Sequence, residues 1–275
     1  MTDPLTQKLV DHGGKSVGAV VDKLLGPTAE LMGRELVDWY TRKRNIAKVA
    51  ERAAERSNLE RAGAIPARVA AEVFDKAQWA DDEFVAEYLS GVLASARTPD
   101  GRNDAGVSWT ALVGRLSADQ LALHWAIYTS FQRRQRGGDS DQFWTMLRQQ
   151  IIVDYPTLFS TLDWSIDHDS DALGRVMDAA YGLRREGLLS DLTHGPGAYL
   201  QDEVTWTKGH KFDHQQGYLT FKVNADGVGL LLHAIGAGKR WFGLVVSADV
   251  SSAIDSSSLL PFAAPAVLVE DLPSV

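Results

Sequence analysis

His210 and His214 stand four residues apart with Asp213 beside the second, a spacing by which one helical face can hold a metal ion. They lie in a turn-prone stretch between Gly209 and Gly217, where residues four apart do not share a face. No third ligand presents itself, so this reads as a solvated loop. Asp163, Asp167, Asp169 and Asp171, with His168 among them, suggest calcium binding or metal-assisted hydrolysis. The calcium-loop order of a turn glycine and a closing glutamate is absent, and a Ser/Asp-rich helix entry explains the run. Gly227-x-Gly229 and Gly236-x-Gly238-Lys239 have a phosphate-loop flavour without the spacing of a P-loop. Gly236 and Gly238 are better read as a helix end. There is no G-x-S-x-G nucleophile elbow. The chain has no cysteine, which excludes disulfides, thiolate zinc sites, iron–sulfur clusters and a cysteine nucleophile. The expectation is a non-enzymatic protein without catalytic residues, metal or cofactor.

The remaining chemistry is ionic. Arg42, Lys43 and Arg44, with Trp39, Lys48, Arg52 and Arg56, form a basic run suited to meet anionic lipid, nucleic acid or an acidic partner. The competing reading is a solvated face with internal ion pairs. Residues 34–61 are rich in Lys and Arg and residues 72–87 in Asp and Glu, so two helical segments of opposite sign are expected to pair. Arg133, Arg134, Arg136 and Arg148 read as solvated residues at a joint. Overall, 36 acidic against 28 basic residues leave a net charge of −8. That balance disfavours nucleic acid as a partner, because such binding runs on phosphate neutralisation.

Periodicity supplies the elements that carry these residues. Residues 5–25 read as an interrupted helix with glycines at 13, 14 and 18. From Pro27, a good first-turn residue, one helix is expected to run to about Glu60 and to end at Gly63. Leu36, Tyr40, Lys43, Ala47, Ala50 and Ala54 fall at alternating four- and three-residue steps, a coiled-coil-like seam. Further helices are expected over 67–79, over 83–96 behind an Asp81 or Asp82 cap, over 107–116, and over 121–135 behind the capping-box sequence Ser117-Ala118-Asp119-Gln120. The glycine-rich 137–141 is the expected joint. Helices are then expected over 141–152 and 169–189. Strands are expected over Asp202–Thr207 and Tyr218–Val223, a helix capped by Asn224 or Asp226 through Ile235, and a strand over Trp241–Val246. The order helix, strand, turn, strand, helix is that of a winged-helix fragment.

Met1-Thr2-Asp3-Pro4 lacks the basic head and apolar run of a secretory leader. With no cysteine, the expected location is cytoplasmic. Gly14–Leu25 has the Gly, Val and Lys content of a membrane-active helix, but Asp22 and Lys23 interrupt any span.

Three stretches carry a family resemblance: L-L-G-P-T-A-E-L-M-G at Leu24–Gly33, the Trp39–Arg44 run, and E-Y-L-S-G-V-L-A-S-A at Glu87–Ala96. Together they resemble the Abi-alpha family, bacterial proteins associated by name with abortive infection. Leu116-Ser117-Ala118-Asp119-Gln120-Leu121 is similar to a further pattern of that family. Tyr88 and Ser90 depart from it, standing where Trp and Asn are usual, and the tail beyond Ala248 matches nothing in it. The resemblance implies a role in anti-phage defence and no reaction.

The chain is therefore expected to be mainly α. An elongated helical bundle with a long coiled-coil-like helix should occupy 1–136, a small α+β winged-helix-like module 141–248, and an extended tail 249–275. Self-association along Leu36, Tyr40, Ala47, Ala50 and Ala54 should make it a homo-oligomer. Its partner should be a protein or a phage component, met through Trp39, Arg42, Lys43, Arg44, Lys48 and Arg52. The alternatives are a winged-helix DNA-binding regulator and a membrane-perturbing effector.

Overall fold

The computed structural model describes residues 18–33, 43–136, 143–145, 147–162, 164, 171–203, 211–257, 259 and 270–271. The chain forms two compact units. The first holds Met1–Arg115 and Leu232–Arg240, the second Leu116–Leu231 and Trp241–Val275. The division falls at residue 115 rather than at the glycine-rich joint near 136, because the helix after Arg115 belongs to the second core. Residues 137–142 lie outside the described residues.

In unit 1, residues 18–25 are helical and bury Val21, Leu24 and Leu25. Helix α1 is Thr28–Met32 and α2 is Arg44–Glu55. The expected continuous helix from Pro27 to Glu60 is therefore broken. Gly33 has φ 83°, a left-handed-region value that ends a helix at little cost for glycine. Lys43 is extended, and α2 stops at Glu55, eight residues before the Gly63 expected to end it. Helices α3 (Ala67–Ala77), α4 (Glu83–Ala96) and α5 (Gly106–Val113) follow. The Asp82 carboxylate caps α4 by accepting from the N–H groups of Phe84 and Val85. Every residue of α4 from Ala86 to Ala96 is buried, as expected of a helix surrounded by others. Helices α2, α3 and α5 all pack on it. Gly91 sits where a Cβ would lie 1.9 Å from the carbonyl oxygen of Ala234, so backbone meets helix directly there.

In unit 2, α6 (Ala118–Gln135) starts with the expected capping box, Ser117 and Gln120 each bonding the other's backbone. It is buried over most of its length. Strand β1 (Ile151–Asp154) leads into α7 (Tyr155–Leu162), and α8 (Asp171–Arg185) into β2 (Ser190–Pro196), α9 (Gly197–Glu203) and β3 (Gly217–Lys222). Helix α10 spans Ala225–Ala234 and crosses the division between the units. A 3-10 turn over Phe242–Val246, α11 (Ala248–Asp255) and the two-residue β4 (Glu270–Asp271) complete the described elements.

The strands form an antiparallel sheet in the order β2-β3-β1-β4. Ile151 pairs with Phe221 and Val153 with Leu219 on buried positions. A bulge interrupts β2–β3 pairing between Ser190 and Thr193, where Asp191 takes φ 49°. Several expectations change here. Strand β3 is where it was expected, but its hairpin partner is Ser190–Pro196. Residues 202–203 are helical, and 204–207 lie outside the described residues. Ile151–Asp154 is strand rather than helix. Phe242–Val246 is a 3-10 turn rather than a strand because i→i+3 bonds, Leu244 N–H to Trp241 O and Ser247 N–H to Leu244 O, pair its backbone locally. The expected extended tail begins with α11.

Candidate anion-binding cavity

Three stretches of unit 1 meet around a cavity of about 260 Å³, bounded by Arg56, Arg61, Arg97 and Lys239 together with Ser57, Asn58, Thr98 and Gly236. The first wall is the turn that leaves α2. Ser57 Oγ donates to the Ala53 carbonyl at 2.8 Å, folding the chain back. The second wall is the end of α4, where Arg97 turns extended. Thr98 then exchanges two backbone hydrogen bonds with Ala64, each 2.9 Å. The third wall is the end of α10. The Gly236 N–H donates to His233 O at 3.1 Å and the Ala237 N–H to Leu232 O at 2.7 Å, with Gly236 at φ 79°, which is the Schellman arrangement. Gly236 thus ends a helix as expected, and the chain is delivered so that Lys239 reaches the cavity. Gly238 is held as well: its N–H donates to Ser95 Oγ at 3.0 Å, and a Cβ there would lie 2.3 Å from the His233 ring.

The four cations are not equivalent. Arg56 donates to the Glu87 carboxylate and to Ser90 Oγ, so its charge is answered. Arg97 instead donates to two neutral carbonyls, Asn58 at 3.2 Å and Arg61 at 2.9 Å. Its Nε is buried without an acceptor among the described residues. Lys239 Nζ donates to the Arg97 carbonyl. Burial first, and then the nearby Arg97 charge, lower the Lys239 pKa, with Asp100 opposing them. The ion pairs of unit 1 include Lys48–Glu83, Arg52–Glu83, Arg52–Glu87, Arg56–Glu87 and Arg68–Asp104. None of them involves Arg61, Arg97 or Lys239. No carboxylate is among the described residues that line the cavity, and Asp100 acts on Lys239 from outside the lining. Glu87 beside Arg56 and Asp100 near Lys239 offset part of this positive charge, and what is left over raises the local concentration of anions in the concavity. The arrangement is suited to holding an anion.

The expected contact stripe fares differently along its length. Trp39 and Arg42 lie outside the described residues. Lys43 and Arg44 are exposed at the start of α2. Lys48 and Arg52 both reach Glu83 on α4, and Lys48 and then Arg52 hold its carboxyl below the ordinary range. This is the pairing expected between the basic 34–61 and acidic 72–87 segments. Of the seam, Leu36 and Tyr40 lie outside the described residues and Ala47 is partly exposed. Ala50 and Ala54 are buried inside unit 1, so these two face their own core rather than a second copy. Asp163, Asp167, His168, Asp169 and His210 lie outside the described residues. Among those described, no group of three or more His, Asp or Glu is placed to hold a metal ion, and no helix is long and apolar enough to cross a membrane. Of the joint arginines, Arg136 pairs with Asp255 at 2.9 Å.

Sequence reasoning missed Arg61 and Arg97 as site residues and passed over Lys239. The Gly-x-Gly-Lys pattern was the only local signal. Nothing in the sequence joins Lys239 to Arg97, 142 positions earlier. Comparison with protein-family models, with curated proteins and with solved structures returned no match for this chain.

Proposed function

We propose that this chain is a non-enzymatic binding protein whose unit 1 holds an anionic ligand among Arg56, Arg61, Arg97 and Lys239. One observation carries the reading. In a chain of net charge −8, the described residues lining one cavity include four cations and no carboxylate, and in the ion pairs given above only Arg56 of the four has a carboxylate partner, with Asp100 acting on Lys239 from outside the lining. Like charges are gathered at such a cost where an anion offsets it.

The test is thermal unfolding and calorimetric titration of the full chain against a series of small anions at constant ionic strength. A multivalent anion should raise Tm, and the double substitution Arg61→Ala, Lys239→Ala should remove the effect while leaving the unliganded protein folded. Absence of a response to every anion removes the reading.

Anti-phage defence is the cellular part of the same proposal. It is supported by the Abi-alpha resemblance of Leu24–Gly33, Trp39–Arg44 and Glu87–Ala96, with Lys43 and Arg44 exposed at the start of α2. Phage plating with host survival scored at high phage dose tests it, and plating unaffected by expression of the protein counts against it. The order α8, β2, α9, β3, with β2 and β3 paired antiparallel, supports reading unit 2 as winged-helix-like. A DNA-binding regulator is the second reading that follows, and a mobility shift that weakens with salt is its test.

A further inference from the structure

The kind of anion follows from how the four cations are already used. Recognition of a planar carboxylate favours an open guanidinium fork that can donate two parallel bonds. The Arg56 guanidinium is turned onto Glu87 and Ser90. That of Arg97 spans the carbonyls of Asn58 and Arg61. Both forks are engaged elsewhere, and the Arg56 charge is answered by Glu87. What remains for direct contact is Arg61 on the rim and the Lys239 ammonium, which has three donors on a flexible stem. High positive charge with donors from separate directions suits a doubly charged, tetrahedral group with three terminal oxygens.

Lys239 is also the cation best placed to move. Its ammonium rests on a neutral carbonyl, that of Arg97, in partly desolvated surroundings beside a guanidinium that repels it. A dianion next to it would replace a neutral acceptor with a charged one and offset the repulsion. Lys239 lies on the segment Leu232–Arg240, which belongs to unit 1 although the chain on both sides of it belongs to unit 2. The opposite cavity wall, Arg56 to Ala62, is remote in sequence.

Resting on the anion-binding reading above, we propose that the ligand is a phosphoryl group and that Lys239 closes on it, fastening the segment Leu232–Arg240 to the turn Arg56–Ala62. Lys239 contacts the ligand. Arg97 is a positioning residue, because it holds the turn through Asn58 and Arg61 and offers its carbonyl as the resting place of the Lys239 ammonium.

The experiment uses the full chain. Inorganic phosphate, ribose 5-phosphate and acetate are titrated at constant ionic strength, and amide hydrogen exchange is followed over 232–240 with and without phosphate. Phosphate and the sugar phosphate should bind and acetate should not. Tighter binding of the sugar phosphate would identify a phosphate monoester, and tighter binding of phosphate the free ion; either supports the class. Lys239→Ala should weaken binding about tenfold, the worth of one charge-assisted hydrogen bond. Lys239→Arg should retain most of it, and phosphate should slow exchange over 236–240 in the wild-type chain. Acetate binding as tightly as phosphate would overturn the phosphoryl assignment and leave the anion-binding reading standing. Phosphate binding unchanged by Lys239→Ala, with no slowing over 236–240, would overturn the closure of Lys239 alone. No binding of any of the three would remove both readings.

Discussion

Arg56 on the cavity wall is ion-paired to Glu87, whose side chain is 0% exposed. Arg52 stands 3.6 Å from the other carboxylate oxygen. A carboxylate so placed is tolerated because two guanidiniums and the fixed geometry of α2 against α4 repay its desolvation. The pair ties the helix packing of unit 1 to the charge of the cavity, since the same guanidinium serves both.

Removing that carboxylate should therefore be costly. Glu87→Gln leaves Arg56 partly buried without its counter-charge, and it should lower unfolding free energy by about 3–5 kcal/mol. Urea denaturation checks this. Lys48→Ala, which breaks the exposed pair with Glu83, should cost no more than about 1 kcal/mol. Equal losses from the two substitutions would contradict the burial argument.

Gly91→Ala should also destabilise. The added methyl would lie 1.9 Å from Ala234 O and 2.4 Å from His233 O, which are backbone atoms that cannot rotate away. Either α4 or the end of α10 must shift, at a cost of about 1–3 kcal/mol or more. Because the end of α10 delivers Lys239, anion affinity should fall along with Tm. Unchanged affinity in a destabilised protein would separate the helix contact from the cavity.

His124 sets an acid limit. It is fully buried on α6, its Nε2 lies 3.0 Å from Gly227 O, and its ring stacks on Tyr128 with centroids 4.4 Å apart. Burial pushes its pKa down to about 3. In the unfolded chain the ordinary value near 6.5 applies. Between those two values the unfolded state binds the extra proton, so stability is full above about pH 6.5 and falls as the pH drops toward 3. The slope from this residue is at most about 1.4 kcal/mol per pH unit. Denaturation midpoints measured from pH 7 to pH 4 should fall less steeply in His124→Gln than in the wild-type chain. Parallel profiles would show that the histidine is not the sensor.

Anion affinity should carry an alkaline limit. The Lys239 pKa is lowered in the unliganded protein, and a bound anion favours the charged ammonium and raises it again. Binding therefore takes up a proton as the pH rises through the lowered value. Above about pH 8 a phosphate monoester is already dianionic, so weakening of phosphate affinity with rising pH reports on Lys239. Lys239→Arg should flatten the profile, because guanidinium does not titrate there. A steep profile that survives this substitution would assign the titration elsewhere.

Ser117 and Gln120 as a capping box and Gly236 as a helix end were legible in the sequence, as was a cap for α4 from Asp81 or Asp82 and for α10 from Asn224 or Asp226, which the structure assigns to Asp82 and to Asn224, accepting from the Gly227 N–H at 2.9 Å. Each depends on partners a few residues apart, so the pattern and the physics sit in the same short window. The opposite charge of residues 34–61 and 72–87 likewise foretold the pairing of Lys48 and Arg52 with Glu83 across α2 and α4. Strand β2 was not legible. Ser-Asp-Leu-Thr-His-Gly-Pro has one buried residue, Leu192, and becomes a strand because β3 offers it an edge. Ile151–Asp154 is too short to declare itself, and it too is selected by β3.

The sequence by itself determined the helix caps, the mainly helical character and the sign of the two charged segments, because those are set by neighbours along the chain. Tertiary structure alone decided where α1 and α2 part, which strands pair, and that Leu232–Arg240 joins the first unit. It also brought Lys239 to Arg97 across 142 positions. Such long-range meetings depend on packing and chain closure, and a local pattern of residue types does not record them.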